Sequence, residues 1–519
     1  MRTPPRHVVP IILYAVLSII VVPVFPHFVS PNEFSRWVLA VAIVDFHTVE
    51  VTRVVATTHT QTEDLSTIDG RMYSNKAPGA ALLGLPAYAI ARVIVGPPSS
   101  HNMRATLNAM RLLASTIPAI LLALWLAAVA ARFGVSEERT TFAVVAMLFG
   151  TPLFAYGLLF FAHALSAFAL FGAFTTLFAT SEARGPRPEA WQAGMLIGLA
   201  VLSEYPSAIP AAVLIACALP RLRGSGTLQV IAGGLPFALM LAIYNQLAFG
   251  SVFTLSSAHE SNEFYRELAQ RGVFGVSVPS PIILLHLLAG PAKGLFVFSP
   301  ILAVAFLGIR RAYVTLPRST FLALVATPLS IILTFAGYPN WHGGWTAGAR
   351  YLVPALPFFA LLIAFASPTV VDWLLLGASV TVVAIVSLVF PFVGAEYSAP
   401  WISFSWPILR DGYVAPNVLH FVWRPLAIAV PFVLVLAAAL VAVPRRRVAL
   451  FVAGGVIWFL AGFLFAGSGS KNVRAVVEAV HFEDPSAIQR ASPTDVRTRA
   501  ALEAIARDQR RAPPDFWPF

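Results

Sequence analysis

The chain has little charge and almost no cysteine. Its 519 residues include a single cysteine, Cys217, and only 11% are charged, whereas a soluble domain usually carries about 25%. One cysteine excludes a disulfide framework within the chain and a multi-cysteine metal site. The histidines show no tight metal-ligand spacing either, so we predict neither a metal nor any other cofactor.

The sequence also shows no internal repeat of fixed period, which weighs against the inverted-repeat plan of many transporters. Apolar sequence dominates instead, with 58% hydrophobic residues and a mean hydropathy of +0.77. The net charge of +11 comes largely from arginines in short loops between apolar runs, a pattern typical of cytoplasmic loops. We therefore predict an all-α polytopic membrane protein with no nucleic-acid partner.

A membrane-spanning helix needs about 20 largely apolar residues. On this criterion the sequence predicts about thirteen spans, within a range of eleven to fourteen, and a further apolar run at 80–96. Glycine and proline interrupt that run, so we interpret it as a helix that dips into the membrane interface. The predicted spans are 8–26, 112–131, 140–156, 158–179, 191–206, 207–220, 227–248, 293–309, 319–337, 352–366, 371–393, 425–443 and 448–467.

The arginines predict the orientation in the membrane. No small-residue cleavage site follows the first apolar run, so we interpret it as an uncleaved first span. If short loops such as that at Arg445, Arg446 and Arg447 face the cytoplasm, the long polar segments share the outer face. We predict a multi-pass protein of the cytoplasmic (inner) membrane with two parts. Residues 1–467 form a transmembrane domain whose first extracytoplasmic loop is 27–111, and 468–519 form a short polar extracytoplasmic tail.

The first loop gathers many of the few charges in its polar stretch from about Pro31 to Gly79, and this stretch ends in the string DGRMYSNKAPG (69–79). Glu33 opens a segment whose apolar spacing predicts an amphipathic helix on the membrane surface. There its carboxylate could act as a general base, or it could only complement the helix dipole. Lys76 suits a lipid phosphate at headgroup level, although lysines also snorkel at interfaces.

Two further strings set cations beside glycines. Residues 338–351, YPNWHGGWTAGARY, contain Arg350, which can bind phosphate with two parallel hydrogen bonds. Residues 290–300, GPAKGLFVFSP, place Lys293 at a helix start. Within the apolar runs, His163 and Glu204 are predicted near the outer ends of their helices, where ionisable groups often serve function. Cations on one face favour an anionic lipid headgroup as the ligand.

Together the strings NEFSR (32–36), DGRMYSNKAPG, AGPAKGLFVFSP and WHGGWTAGARY resemble the GT-C superfamily of membrane glycosyltransferases. The similarity extends over about residues 10–365 and is greatest to bacterial relatives of the protein O-mannosyltransferases and the lipid A aminoarabinose transferases. It implies an enzyme, an inverting glycosyltransferase, that uses a polyprenyl-phosphate-linked sugar as donor. It also implies an acceptor glycan, lipid or protein on the outer face, with membrane lipids as the other partners.

The resemblance implies a base in the first loop and a cation near the lipid phosphate. The family's Asp-Glu pair is Asn32-Glu33 here, and its Lys-Pro motif is Lys76-Ala77-Pro78. We therefore expect Glu33 as the catalytic base, with Asp64 as second choice. The alternative is a lipid or solute transporter, or flippase, which would use the same cations without a base. The expected substrate-binding residues are Arg36, Tyr73, Lys76, His163, Lys293, Trp341, His342 and Arg350, and no metal ligand is expected.

Overall fold

The computed structural model describes residues 5–25, 30–58, 64–99, 102–179, 190–273, 275–467 and 471–511, so the predicted loop 27–111 and tail 468–519 lie partly outside the described residues. In the first half of the chain the elements are α1 (Val8–Ile20), α2 (Pro31–Phe46), α3 (Thr52–Thr58), β1 (Leu65–Ile68), β2 (Arg71–Ser74), α4 (Gly79–Val95), α5 (Met103–Arg111), α6 (Ile117–Arg132), α7 (Glu137–Phe149), α8 (Leu153–Tyr156), α9 (His163–Phe178), α10 (Ala190–Ser203) and α11 (Ala208–Phe249).

The second half is helical throughout its described elements. These are α12 (Glu263–Ala269), α13 (Pro281–Ala289), α14 (Leu295–Phe298), α15 (Val304–Thr315), α16 (Arg318–Ala336), α17 (Leu356–Phe365), α18 (Val370–Val389), α19 (Trp406–Arg410), α20 (Arg424–Ala442), α21 (Val448–Phe465), α22 (Lys471–His481), α23 (Ser486–Ala491) and α24 (Val496–Arg511).

Many of these helices are apolar enough to lie in a membrane. Among the described residues, seven are long and apolar enough to cross it, and shorter apolar helices such as α1, α4, α9 and α10 accompany them. The predicted helical, multi-pass architecture is therefore confirmed, while the count of thirteen spans stays a prediction. The long ones are Met103–Arg132, Tyr205–Leu222, Gly224–Phe249, Arg318–Ala336, Val370–Val389, Arg424–Ala442 and Arg445–Phe465.

The chain reverses its direction near the middle of α11. A straight helix of its 42 residues would be about 63 Å long, yet both of its ends reach the same side of the bundle. The Ser207 hydroxyl, just before α11, lies 2.7 Å from that of Ser166 near the start of α9, and Tyr244 donates to the Ser74 carbonyl of the first loop. Between them, Arg221 donates to the carbonyl of Phe178 at the far end of α9.

Helix α2 is buried rather than amphipathic. Every residue from Asn32 to Ala42 is buried, because α4 and α5 cover the helix. Trp37 donates to the Thr106 hydroxyl on α5 at 2.9 Å. The expectation of a surface helix, with Glu33 facing the headgroups, is therefore wrong. The apolar residues of this segment are core residues, as an amphipathic helix would require, but its polar residues are buried as well.

A two-stranded hairpin follows α3 in the first loop. Strands β1 and β2 pair antiparallel, with Leu65 opposite Ser74. At the turn, Asp69 and Gly70 both have positive φ, 49° and 77°, the conformation that the Asp-Gly dipeptide adopts most readily in a two-residue hairpin turn. The hairpin brings residue 64 next to residues 75 and 76, and this proximity builds the site.

The C-terminal helices α22, α23 and α24 pack around a small apolar core of their own that includes Val476, Val480 and Ile488. Phe482, just after α22, contacts Phe25 at a ring distance of 5.5 Å, so these helices also rest on the loops that follow α1.

Candidate functional site

The site is built first on the two ends of the hairpin. The Lys76 ammonium donates to Asp64 Oδ1 at 2.7 Å, and the Asn75 side-chain amide donates to the same oxygen at 2.9 Å. Asn75 is held in turn by the Ser35 hydroxyl, which donates to its side-chain oxygen at 3.1 Å. The hairpin and α2 therefore fix this carboxylate in one position.

A second carboxylate shares the same amide. Asn75 also donates to Glu260 Oε2 at 2.8 Å, and a short antiparallel bridge pairs Ser66 with Glu260. Burial raises the pKa of Glu260 to about 7, and the nearby negative charge of Asp64 acts in the same direction against the opposing charge of Lys76. Glu260 is therefore half-protonated near neutral pH.

Sequence reasoning missed Glu260. It lies in the loop after α11, about two hundred residues from the hairpin in the chain, and no local spacing connects it with Asp64. A weak signal was available, since it is an acid in a loop predicted on the same face as the first loop.

Asp64 itself stays ionised. Burial alone would raise its pKa, but the charge of Lys76, the hydrogen bonds from Lys76 and Asn75, and the charge of Arg350 outweigh burial and leave the pKa below its ordinary value. The residue that was the second choice as base thus carries a permanent negative charge within a positively charged neighbourhood.

Arg36 faces this cluster from α2. Its guanidinium donates to the Asn32 carbonyl at 3.0 Å and also to the Asn32 side chain. Its Nε is buried and has no hydrogen-bond partner among the described residues. Burial lowers the pKa of Arg36 to about 10, with the charges of Glu204 and Asp64 opposing, so the side chain remains a cation.

Arg350 comes from the glycine-rich turn before α17. Gly343 has a φ of +67°, and a side chain there would come within 2.5 Å of Arg350 Nε, so only glycine allows the turn to lie against this guanidinium. Arg350 donates to the Tyr351 hydroxyl at 2.9 Å and lies 5.5 Å from the ring of Phe161. Within the described part of the chain its buried Nε is left without a partner.

His163 and Glu204 form the inner wall of the site. His163 begins α9 and Glu204 follows α10, and His163 Nδ1 lies 2.5 Å from Glu204 Oε1. The other ring nitrogen, Nε2, is buried without a partner in the described residues. The ring also packs edge-on against Tyr156 and Tyr351, at 5.2 and 5.8 Å. His163, which the sequence predicts to bind substrate, therefore lies beside the glycine-rich turn that carries Arg350.

Glu33 lies apart from these groups in a closed ion pair. Arg111 donates to both of its carboxylate oxygens at 2.8 Å, and the backbone N–H of Phe160 donates to it as well. Arg111 also bonds to the carbonyl of Pro23. The pair joins α2, α5 and the segment before α9, and it occupies the Glu33 carboxylate fully.

Lys293 is committed to the backbone of the glycine-rich turn. Its ammonium donates to the His342 carbonyl at 3.0 Å, to the Thr346 hydroxyl at 2.8 Å and to the Gly344 carbonyl. It therefore shapes the turn that carries Arg350, and its three donors are all occupied.

The remaining predicted residues surround this centre. Burial, together with the charges of Lys293 and Arg350, lowers the pKa of His342 to about 4, so its ring is neutral at physiological pH. Trp341 stacks on His286 at 5.2 Å. Tyr73 packs against Phe249 at the end of α11, at 5.9 Å, and supports the hairpin from behind.

The arrangement suits an anion. Three cations, Lys76, Arg36 and Arg350, face the ionised carboxylate of Asp64, and Glu260 is neutral below about pH 7. Two of the cations present buried N–H groups that lack partners among the described residues, and a buried donor of this kind is costly unless a ligand satisfies it. Among the described residues, no group of three or more histidine, cysteine, aspartate or glutamate side chains is placed so that it could hold a metal ion.

No protein-family model matches the chain, and no curated protein matches it. Among solved structures, it resembles ArnT from Cupriavidus metallidurans bound to undecaprenyl phosphate, with a TM-score of 0.53 and 15% identity over 98% of this chain and 84% of that one. The archaeal oligosaccharyltransferase AglB from Archaeoglobus fulgidus, in complex with an inhibitory peptide and a dolichol-phosphate, gives a TM-score of 0.44 at 14% identity, over 99% and 61%. The chain thus has the fold of ArnT, and the resemblance predicted from the sequence is confirmed at the level of the fold.

Proposed function

We propose that this protein is a glycosyltransferase that moves a sugar from a polyprenyl-phosphate donor to an acceptor on the outer face of the cytoplasmic membrane. The observation that carries the proposal is the meeting of Arg36, Lys76 and Arg350 around the ionised Asp64. A phosphate needs the cations, and an acceptor hydroxyl needs the carboxylate. The likeness to ArnT, whose solved structure holds undecaprenyl phosphate, supports the choice of donor.

In this proposal the donor phosphate binds to the arginines. The buried Nε atoms of Arg36 and Arg350 supply donors that have no partner among the described residues, and guanidinium groups match phosphate geometry well. Lys76 completes the site as a point charge. Preorganised cations of this kind stabilise the charge that develops on a departing group, which is usually the largest contribution to such a reaction.

Asp64 is the proposed base, ahead of Glu33. A general base must be ionised and able to reach the acceptor. Asp64 is 21% exposed, whereas Glu33 is 1% exposed and bonded through both oxygens to Arg111. When the donor phosphate draws Lys76 towards itself, the proton affinity of Asp64 rises, because the cation that lowers its pKa then serves the phosphate.

The proposed reaction is a single displacement. The acceptor hydroxyl oxygen attacks the anomeric carbon from the side opposite the phosphate, and its proton passes to Asp64. The bond between the anomeric carbon and the phosphate oxygen breaks, and both electrons leave with the polyprenyl phosphate. Lys76, Arg36 and Arg350 stabilise the negative charge on the departing phosphate oxygen. The configuration at the anomeric carbon is inverted.

The direct test uses purified protein in detergent or nanodiscs with a radiolabelled polyprenyl-phosphate sugar. We expect sugar release or transfer to added acceptor, and loss of that activity in Asp64→Asn. The variant Arg71→Ala, altered at an exposed position of the same hairpin, is the matched control. Donor binding without any sugar release would contradict the enzyme and favour the transporter alternative.

A further inference from the structure

At the end of the bundle opposite the candidate site, three helix ends surround a cleft of about 350 Å³. Helices α1 and α7 begin there, and α20 ends there. The other ends of α1 and α20 meet where Val21 pairs with Asn417, on the side of α2 and the site. The cleft is therefore separated from the candidate site by the full length of α20, which at 19 residues is about 28 Å.

The cleft lies beside the ends of two candidate membrane spans. The candidate span Arg424–Ala442 ends at its rim, and the next, Arg445–Phe465, begins three residues later. The turn between these spans supplies part of the lining. Because both candidate spans stop here, we infer that the cleft opens in the headgroup layer rather than within the hydrocarbon.

The lining combines charge of both signs with an apolar wall. Arg6 and Arg446 contribute guanidinium groups and Glu138 contributes a carboxylate, while Val441 and Val443 form the apolar side. All three charged side chains are exposed, and none of them forms an ion pair with a described residue. The backbone N–H of Arg6 donates to Glu137 at 2.5 Å, which holds the N-terminal segment against the start of α7.

We propose that this cleft binds the headgroup of an aminophospholipid. Arginines in pockets between membrane helices bind lipid phosphates, and the valine wall continues towards the acyl chains. Glu138 decides the class of lipid. A carboxylate beside the arginines disfavours a headgroup that is only anionic, whereas an ammonium group attached to the phosphate compensates it. The lipid phosphate would bind to Arg6 and Arg446, and its ammonium to Glu138.

The site is independent of the proposed glycosyl transfer, because none of its residues belongs to the candidate active site. In the proposed orientation it faces the cytoplasmic leaflet. A bound lipid would join α1, α7 and α20 at a corner where the side chains leave a gap.

The experiment measures lipid retention by native mass spectrometry of the full chain released from nanodiscs that contain equal amounts of phosphatidylethanolamine, phosphatidylglycerol and phosphatidylcholine. We expect preferential retention of phosphatidylethanolamine. Arg6→Gln with Arg446→Gln should lower its retention by roughly fivefold per arginine. Arg445→Gln is the matched control, since this exposed neighbour does not line the cleft.

The variant Glu138→Gln tests the choice of headgroup. Removal of the carboxylate should abolish the preference for phosphatidylethanolamine over phosphatidylglycerol while total phospholipid retention persists. Equal retention of the three lipids by the unaltered protein, or an unchanged preference in Glu138→Gln, would overturn the proposal. Displacement of the lipid by water-soluble glycerophosphoethanolamine at equal concentration would also overturn it, since the acyl chains would then contribute nothing.

Discussion

The first loop contains two ion pairs between an acid and a base, and the two differ in structure. Glu33 and Arg111 are 1% and 4% exposed and bond through two parallel hydrogen bonds, while Asp64 and Lys76 are 21% and 18% exposed and share one. The first pair is closed on all sides by protein. The second borders Asn75, Glu260 and arginine N–H groups that have no partner in the described part of the chain.

The comparison teaches which pair can exchange partners. Breaking a buried pair leaves an uncompensated charge in an apolar place, so Glu33 and Arg111 serve each other and hold three segments together. The Asp64–Lys76 pair can open when an anion arrives, because each partner has a second charged neighbour. We therefore expect mutations to separate the two pairs into one that governs stability and one that governs turnover.

The largest expected effect is on turnover in Asp64→Asn. Loss of the base should slow sugar transfer by about 10²–10⁴-fold, with donor binding no weaker than in the unaltered protein, because a negative charge beside the phosphate site is removed. Glu33→Gln is the matched comparison and should leave the rate per folded molecule within a few-fold. Rates normalised to correctly folded protein decide between them. A large loss in Glu33→Gln with normal turnover in Asp64→Asn would return the role of base to Glu33.

The next largest effect is on the free energy of unfolding. Here we expect the Glu33–Arg111 pair to matter more than the Asp64–Lys76 pair, the reverse of their order for turnover. Glu33→Gln or Arg111→Gln should lower the free energy of unfolding by about 3–5 kcal/mol, as expected for breaking a buried ion pair. Asp64→Asn should cost at most about 1 kcal/mol, because its pair is partly exposed. Thermal unfolding in a fixed detergent measures both. Equal losses would mean that the two pairs are structurally equivalent.

Donor affinity should show a smaller change. Lys76→Ala and Arg350→Ala should each weaken the binding of polyprenyl phosphate by about 1.5–3 kcal/mol, which is roughly tenfold or more. Lys76→Arg should restore part of the loss, since a planar fork replaces a compact ammonium poorly. Titration with the lipid phosphate measures this, with Arg71→Ala as control. Unchanged affinity in both alanine variants would remove these residues from the donor site.

The smallest effect concerns pH. The pKa of Glu260 is about 7, so the carboxyl is neutral below this pH and becomes negative above it. Donor affinity should therefore fall a few-fold as the pH rises from 6 to 8. Glu260→Gln keeps the neutral form at every pH and should remove that dependence. A pH profile that is the same in the variant would assign the titration to another group.

Much of the helical plan could be predicted from the sequence, because long apolar runs bounded by arginine, glycine or proline leave few alternatives. The runs that became α16, α18, α20 and α21 were found within a few residues of their ends. The predicted span 293–309 was only partly right, since α14 and α15 are separated there by Ser299 and a 3₁₀ turn from Pro300. Burial of α2 escaped prediction, because what covers a helix is decided by distant segments.

In the candidate site, too, some features could be predicted from the sequence and others could not. Lys76, Arg36, His163 and Arg350 could be named because a charge or histidine beside glycines or within apolar sequence is costly and calls for a reason. The partners of these residues could not be named. That Glu33 binds Arg111, that Lys293 binds backbone carbonyls and that Glu260 shares an amide with Asp64 all depend on tertiary contacts that no spacing in the sequence encodes.

The bond between Asn75 and Glu260 joins positions 185 residues apart, which sets an order of events during synthesis. A ribosome adds about 5–20 residues per second, so the hairpin waits roughly 10–40 seconds for its second carboxylate to be made. Throughout that interval Asp64 already has Lys76 twelve residues away, and this local pair can neutralise the charge while the remaining helices are still entering the membrane. The pair proposed to open during turnover would thus first act as a temporary partner that protects the nascent chain.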